Sequence, residues 1–215
     1  MAQSIAIIDY GSGNLRSVEK AFERAAREHG FACRVAVTDD PAVIRDADRI
    51  VLPGVGAFGA CMNGLAARDG VLEALEHAVL VERRPFLGVC VGMQLLAELG
   101  LEFGSHDGLG WIPGKVVALE PETAGFRSPH MGWNALSVRA PHPLLTGLDG
   151  ETFYFAHSYH FEIENEHYLY GVTDHGRRLA AVVGRDNIIG AQFHPEKSQR
   201  AGLAFIANFI NWTPA

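Results

Sequence analysis

The sequence predicts an α/β fold: an open, mostly parallel sheet with helices on both faces, followed by a β-rich C-terminal half. Three observations carry this. Over the first hundred residues, short apolar runs alternate with stretches of helical periodicity, the pattern of a parallel sheet wound with helices. Next, Gly88-Val89-Cys90-Val91-Gly92 joins the apolar run Pro85-Phe86-Leu87 to the helix-forming stretch Met93-Gln94-Leu95-Leu96-Ala97-Glu98. That reads as strand, tight turn, helix. From Lys115 onward, short β-rich segments dominate until a last helical stretch.

Taken in order, Ile5–Ile8 reads as the first strand. A helix follows around Ser17–Glu28, where Val18, Ala21, Phe22 and Ala25 recur at helical spacing. Arg34–Val37 and Ile50–Leu52 are short strands, and Val71–Val81 is a helix. Phe86–Val89 is the strand entering the glycine-flanked turn, and Met93–Glu98 the helix leaving it. Lys115–Leu119, Ala135–Val138, Thr152–Phe155, Tyr168–Val172 and Leu179–Val183 form the β-rich half. Ile188–Phe193 is one more strand, and a helix near Ala201–Phe209 closes the chain. Ligand sites in such sheets lie at the carboxyl ends of the strands, which is where Val55, Cys90 and His194 fall.

With 215 residues, 48% hydrophobic and 20% charged, the chain fits one domain over residues 1–215 with a sizeable core. A formal net charge of −7 and no basic stretch give nucleic acid no reason to bind. The apolar run at the N-terminus is short and lacks a basic leader, so it reads as a strand and not a signal peptide. No run reaches the length of a membrane span. The three scattered cysteines, Cys33, Cys61 and Cys90, suit a reducing cytoplasm with no disulfide frame. Cys33 and Cys61 are assigned to packing.

The chemistry is concentrated in two places. A cysteine between glycines two residues before and two after it sits in a turn too sharp for side chains on both flanks. A helix starting just past the sulfur aims free N–H groups at it, which favours the reactive thiolate. Alone, such a cysteine is equally a buried structural residue. The second place is His194-Pro195-Glu196. In extended chain, residues two apart share a side, so Glu196 can orient His194 and His194 can act as base for a thiol. By itself this pair reads as a surface turn; beside the cysteine turn, the catalytic reading leads. For an oxyanion, the N–H of Val91 follows the nucleophile, and the loop Pro53-Gly54-Val55-Gly56 can turn its peptides freely. Without the cysteine it is an ordinary glycine-rich loop.

Two further patterns are set aside. Asp9-Tyr10-Gly11-Ser12-Gly13-Asn14-Leu15-Arg16 resembles the start of a dinucleotide-binding turn, but Arg16 stands where the third glycine belongs. Asp39 and Asp40 are ribose partners only by distance, so the segment is read as a structural turn. In His157-Ser158-Tyr159-His160, a continuous strand would point the two histidines to opposite sides. No metal and no cofactor is therefore assigned.

Taken together, Gly88-Val89-Cys90-Val91-Gly92-Met93-Gln94 and His194-Pro195-Glu196 resemble the triad (class I) glutamine amidotransferase family. Five more stretches resemble its branch of glutaminase subunits serving imidazole glycerol phosphate synthase: 9–17, 53–58, 129–134, 154–159 and 192–198. The likeness runs from the first strand to the last helix. It implies the class I amidotransferase fold and hydrolysis of L-glutamine to glutamate and ammonia by Cys90, His194 and Glu196, in support of histidine biosynthesis. The oxyanion is then held by the backbone of Val91 and of Val55 or Gly56. Gln94, Ser158 and Tyr159 match positions that hold the polar backbone end of glutamine. Trp133, Tyr154 and Lys197 match the interface with a cyclase subunit, a (β/α)8 barrel, in a heterodimer. Val91 replaces the usual leucine, where only the backbone is needed. Three alternatives remain: a glutaminase for another synthase, such as the pyridoxal phosphate one; a free cysteine hydrolase; and a regulatory subunit without chemistry. Met131-Gly132-Trp133-Asn134 argues against the first, and the intact triad against the last.

Overall fold

The computed structural model describes residues 2–120 and 125–214. In chain order its elements are β1 (Gln3–Ile8), α1 (Leu15–His29), β2 (Cys33–Thr38), α2 (Pro41–Asp46), β3 (Arg49–Gly54), α3 (Phe58–Ala66), α4 (Val71–Glu76), β4 (Phe86–Cys90) and α5 (Val91–Gln94). The second half holds β5 (Leu99–Gly100), β6 (His106–Asp107), β7 (Gly114–Ala118), β8 (His130–Ala135), β9 (Ser137–Val138), β10 (Thr152–His157), β11 (Tyr159–Ile163), β12 (Leu169–Asp174), β13 (Arg178–Arg185), β14 (Ile188–Ala191) and α6 (Gln199–Asn211). The main sheet has the order β2-β1-β3-β4-β14-β13-β12-β9. Its first five strands are parallel and the remaining pairings antiparallel. Two smaller sheets, β10-β8 and β11-β7-β5-β6, complete the architecture.

The sequence explains the layers. Strands β3, β4 and β14 are buried along their whole length, as parallel strands covered on both faces must be. Helix α1 buries Val18, Ala21, Phe22, Ala25 and Ala26 and stops at Gly30, which takes φ 73° and donates to the carbonyls of Ala26 and Arg27. Phe22 meets Phe209 of α6 edge-on at 6.1 Å, while α2 packs on α4. The Asp40 side chain caps α2 by accepting from Ala42 N–H at 2.8 Å, with Pro41 opening the helix. A phenylalanine cluster then ties the sheet layers to α6. Phe153 stacks on Phe193 at 4.0 Å, and Phe193 meets Phe205 edge-on at 5.1 Å.

Four readings need correction. The stretch Met93–Glu98 is not a helix: α5 ends at Gln94, and tighter turns follow, with Leu96 N–H on Met93 O and Ala97 N–H on Gln94 O. Glu98 is already committed to β pairing, since its N–H bonds Gly114 O and its carbonyl accepts from Gly108. The helix at Val71–Val81 turns α-helical to Glu76 and π-helical over His77–Val81. Ala135–Val138 is two strands, because Leu136 bonds Glu151 and Gly150 and lets the chain pass from β10 to β12 as partner. The strand from Ile188 ends at Ala191. Helices α2 and α3 and strands β5, β6, β8 and β11 were not anticipated as elements.

Truncating Phe205 to Ala opens the phenylalanine cluster, in which Phe153, Phe193 and Phe205 are all fully buried. The expected loss is about 3–5 kcal/mol, read as a lower urea midpoint at unchanged m-value.

Candidate active site

Cys90 is the last residue of β4 and the entry to α5, with φ 55° and ψ −112°. A non-glycine residue at positive φ is strained, at a cost of order 1–3 kcal/mol, so its surroundings must hold it there. They do so by close backbone approach. A Cβ on Gly88 would strike the carbonyl oxygen of Gly92, and one on Gly92 would strike that of Leu52 in β3. Glycine on both flanks is thus a steric requirement of this turn. Helix α5 is a single turn, so it offers the sulfur first-turn N–H groups and little of the dipole expected from the sequence.

His194 follows β14 and is fixed through its backbone: its N–H bonds Tyr154 O at 2.9 Å, and its carbonyl accepts from Ser198 Oγ at 2.6 Å. Its Nδ1 lies 2.9 Å from Glu196 Oε1, with the two side chains only 4% and 1% exposed. Glu196 reaches it from a 3-10 turn over Pro195–Lys197 and not along extended chain. Burial alone pulls the His194 pKa down, but hydrogen bonds to Cys90 and Glu196 outweigh it and push it up to about 9. Cys90 and His194 line the same cleft, and Glu196 holds the Nδ1 side of the imidazole.

The sequence reading missed Gln192, which is fully buried. Its Nε2 donates to Cys90 Sγ at 3.7 Å, and its Oε1 accepts from Gln94 Nε2 at 3.0 Å. Gln94 Nε2 donates also to Tyr159 O at 3.0 Å. Gln192 was findable, since it stands two residues before His194 in a stretch that reads as extended chain, where residues two apart share a side. A cleft of about 380 Å³ opens over the sulfur, bounded by Val55, Gly56, Gln94, Ser158, Tyr159 and Lys197 among others. A larger cavity of about 700 Å³, between Arg49, Arg84 and Trp212, has no cysteine or histidine in its lining.

The glycine loop behaves differently at each glycine. A Cβ on Gly54 would meet Tyr10 Oη at 2.7 Å and Gly92 N at 2.8 Å, whereas Gly56 takes φ 106° with open space around it. In this conformation Val55 N–H does not face the cleft as an oxyanion donor: it donates to Ser12 Oγ at 3.2 Å, and Ser12 Oγ donates to Val55 O at 2.5 Å. Cys61, buried behind the loop, lies 3.5 Å from the same carbonyl. Trp133 on β8 pairs in register with Tyr154 on β10, their rings 6.0 Å apart, and Lys197 Nζ lies 5.6 Å over the Tyr154 ring. These three interface candidates share one face beside the cleft, where Trp133 is 49% and Met131 66% exposed.

The residues set aside earlier have other work. Asp39 faces Arg68 at 3.8 Å, and Asp40 caps α2. His157 and His160 do not share one strand, because Ser158 breaks the chain between β10 and β11, so strand alternation does not set their relative directions. Among the described residues, no cluster of His, Cys, Asp and Glu has the makings of a metal site.

Comparison with known proteins agrees with this geometry. The family model of class I glutamine amidotransferases matches residues 6–212. The chain belongs to the class I glutamine amidotransferase family. Curated relatives named imidazole glycerol phosphate synthase subunit HisH include that of Rhodospirillum rubrum, 54% identical over 212 residues and covering 98% of this chain and 99% of its own. The protein of the same name from Agrobacterium fabrum is 53% identical over 214 residues, with the same coverage. Among solved structures, a glutamine amidotransferase superposes with a TM-score of 0.68 at 17% identity, over 95% of this chain and 98% of its own. One from Thermotoga maritima gives 0.63 at 15% identity, over 98% and 84%. At these identities the structures speak for the amidotransferase fold.

Two predictions follow from the geometry of this amidotransferase. Gly92→Ala forces a Cβ into the Leu52 carbonyl and is expected to cost about 3 kcal/mol, measured by urea unfolding. The folded His194 pKa of about 9 stands above the ordinary 6.5, so the native state holds this proton more tightly than the unfolded chain. Its stabilisation is complete below pH 6.5 and is lost as pH rises toward about 9. Urea midpoints of the wild type should decline over that window, and those of His194→Asn should decline less.

Proposed function

We propose that the chain is the glutaminase subunit of imidazole glycerol phosphate synthase. The single observation that carries the chemistry is Cys90 on its strained turn, lining one cleft with a His194 whose Nδ1 is 2.9 Å from Glu196. Roughly half-identity to HisH subunits over nearly the whole chain supports the choice of synthase.

The Cys90 sulfur attacks the side-chain amide carbon of L-glutamine, and the oxyanion that forms is stabilised by backbone N–H groups, Val91 first among them. His194 gives its proton to the departing nitrogen, so ammonia leaves and a thioester remains. Water then attacks the thioester, His194 accepts the water's proton, and glutamate departs with Cys90 restored. Glu196 keeps the ring oriented and its charge compensated. Gln94, Ser158 and Tyr159 hold the α-amino and carboxylate end of the substrate. The Pro53–Gly56 loop contributes through Val55 or Gly56 once the Val55 peptide leaves Ser12, a turn that Gly56 permits.

Free ammonia protonates in neutral water and stops being a nucleophile, so it is best handed over directly. The exposed face carrying Trp133, Tyr154 and Lys197 receives the cyclase subunit, a (β/α)8 barrel. Ammonia passes through that barrel to give imidazole glycerol phosphate and AICAR in L-histidine biosynthesis. The unpaired thiols suit a cytoplasmic setting, and no helix among the described residues is long and apolar enough to cross a membrane.

Glutamate release from L-glutamine tests this, with the purified chain alone and then mixed with cyclase subunit carrying its substrate. The expected result is a low rate alone, a large rise in the mixture, and a fall of at least about a thousandfold in Cys90→Ala. Full activity without any partner would make it a free hydrolase. Silence in both arms would point to another synthase or a binding role.

A further inference from the structure

Beside the triad lies a second set of polar side chains that the chemistry above does not use. His130 on β8 and His157 on β10 are register partners, 3% and 6% exposed. His130 Nδ1 is 2.9 Å from His157 Nε2, and His157 Nδ1 is 2.8 Å from Tyr159 O. At the other end, Asn134 Nδ2 lies 3.1 Å from His130 Nε2 and 2.6 Å from Asp174 O. The Asn134 Oδ1 accepts from Ala135 N–H at 2.8 Å, which fixes the amide's orientation.

The proton positions can be deduced from one end. A carbonyl oxygen only accepts, so His157 Nδ1 carries a hydrogen. Burial, opposed only by the hydrogen bond to Tyr159, lowers the His157 pKa to about 3. Burial and the neighbouring His175 lower that of His130 to about 4. Both rings are neutral, so His157 Nε2 is bare and accepts from His130 Nδ1–H. His130 Nε2 is then bare in turn, and the amide of Asn134 donates to it. Every donor meets an acceptor in one direction. Stacking on Phe155 at 4.6 Å and on His175 at 4.2 Å holds the His130 ring in plane.

We propose that Asn134, His130 and His157 form a one-way hydrogen-bond relay from the exposed strand β8 to the Tyr159 carbonyl, with both histidines as positioning residues for the substrate cleft. This rests on reading that cleft as the glutamine site. Tyr159 O is also the acceptor for Gln94 Nε2, so the relay sets the end of the cleft that holds the substrate's polar backbone groups. Its origin is one residue from Trp133, on the strand that faces the partner. Seating of the partner on β8 is thereby felt at the substrate site without any movement of the triad.

The test begins with the wild-type chain, labelled with 15N in its histidines and assigned with His130→Phe and His157→Phe. Long-range proton–nitrogen spectra between pH 6 and 8 should show hydrogen on Nδ1 and bare Nε2 for both rings. Hydrogen on Nε2 of His157, or an imidazolium, overturns the relay. In the complex with the cyclase subunit, His130→Phe keeps the ring stack and removes the donor. The expected outcome is a KM for glutamine about tenfold higher, the cost of one lost buried hydrogen bond, with kcat within about threefold. Asn134→Ala should move KM in the same direction. Unchanged KM in both variants also overturns the proposal, as does a loss confined to kcat. The tautomer result decides the relay even if a variant fails to fold. It does so equally if no arm turns over glutamine, an outcome that sinks the proposed function separately.

Discussion

The site depends on one steric constraint: the backbones of β3 and of the turn around Cys90 meet with no room for a Cβ. The oxygen of Leu52 in β3 occupies the place where a side chain on Gly92 would go, and the oxygen of Gly92 occupies that of Gly88. Gly54, at the end of β3, completes the contact: a Cβ there would clash with Gly92 N and Tyr10 Oη. Because β3 and β4 are adjacent and parallel, with Gly54 in register with Cys90, the same pairing that builds the sheet brings the glycine loop beside the sulfur. The positive φ of Cys90 is the consequence. Its strain is borne by a sheet buried on both faces, a scaffold rigid enough to keep a reactive group off its preferred conformation.

Catalytic order then spreads through hydrogen bonds and not through the helix that follows the turn. With α5 reduced to one turn, what surrounds the sulfur is a set of side chains from two segments: Gln192 and His194 just beyond β14, and Gln94 at the end of α5. Glu196 is as buried as His194. A buried carboxylate that lost its cationic partner would leave an uncompensated charge, so the pair is costly to break from either side.

How much of this was legible in the sequence follows from the range of the forces involved. The wound parallel sheet and the cysteine turn were visible because local patterns carry them: fully apolar short runs, helical repeats, and paired glycines at fixed offsets. Helix α2 has its Asp40 cap and Pro41 start in plain view, but six residues are too few for a period to register. The collapse of Met93–Glu98 was not readable, since those residues are good helix formers and it is the pairing of Glu98 with Gly114 and Gly108, distant in sequence, that wins. The break at Leu136 is likewise made by Glu151 and Gly150. At the candidate site, the nearness of Cys90, His194 and Glu196 was legible from residue type and spacing. The hold of Ser12 on Val55 crosses 43 positions, and no local signal announces such a bond.

The Tyr159 carbonyl is where the separate parts of the site join. A carbonyl oxygen offers two lone pairs, and here one takes Gln94 Nε2 and the other His157 Nδ1. Through Gln94 it is linked to Gln192 and so to the sulfur; through His157 it is linked to His130, Asn134 and the exposed strand β8. Removing either donor leaves a half-satisfied oxygen beside a cleft that must bind a polar substrate. Neither chain of bonds can slacken without affecting the other, because buried polar groups gain from being satisfied together and lose sharply when one is orphaned. Hydrogen bonds from the cysteine side and from the exposed strand β8, which lies in a different sheet, thus meet at one oxygen atom.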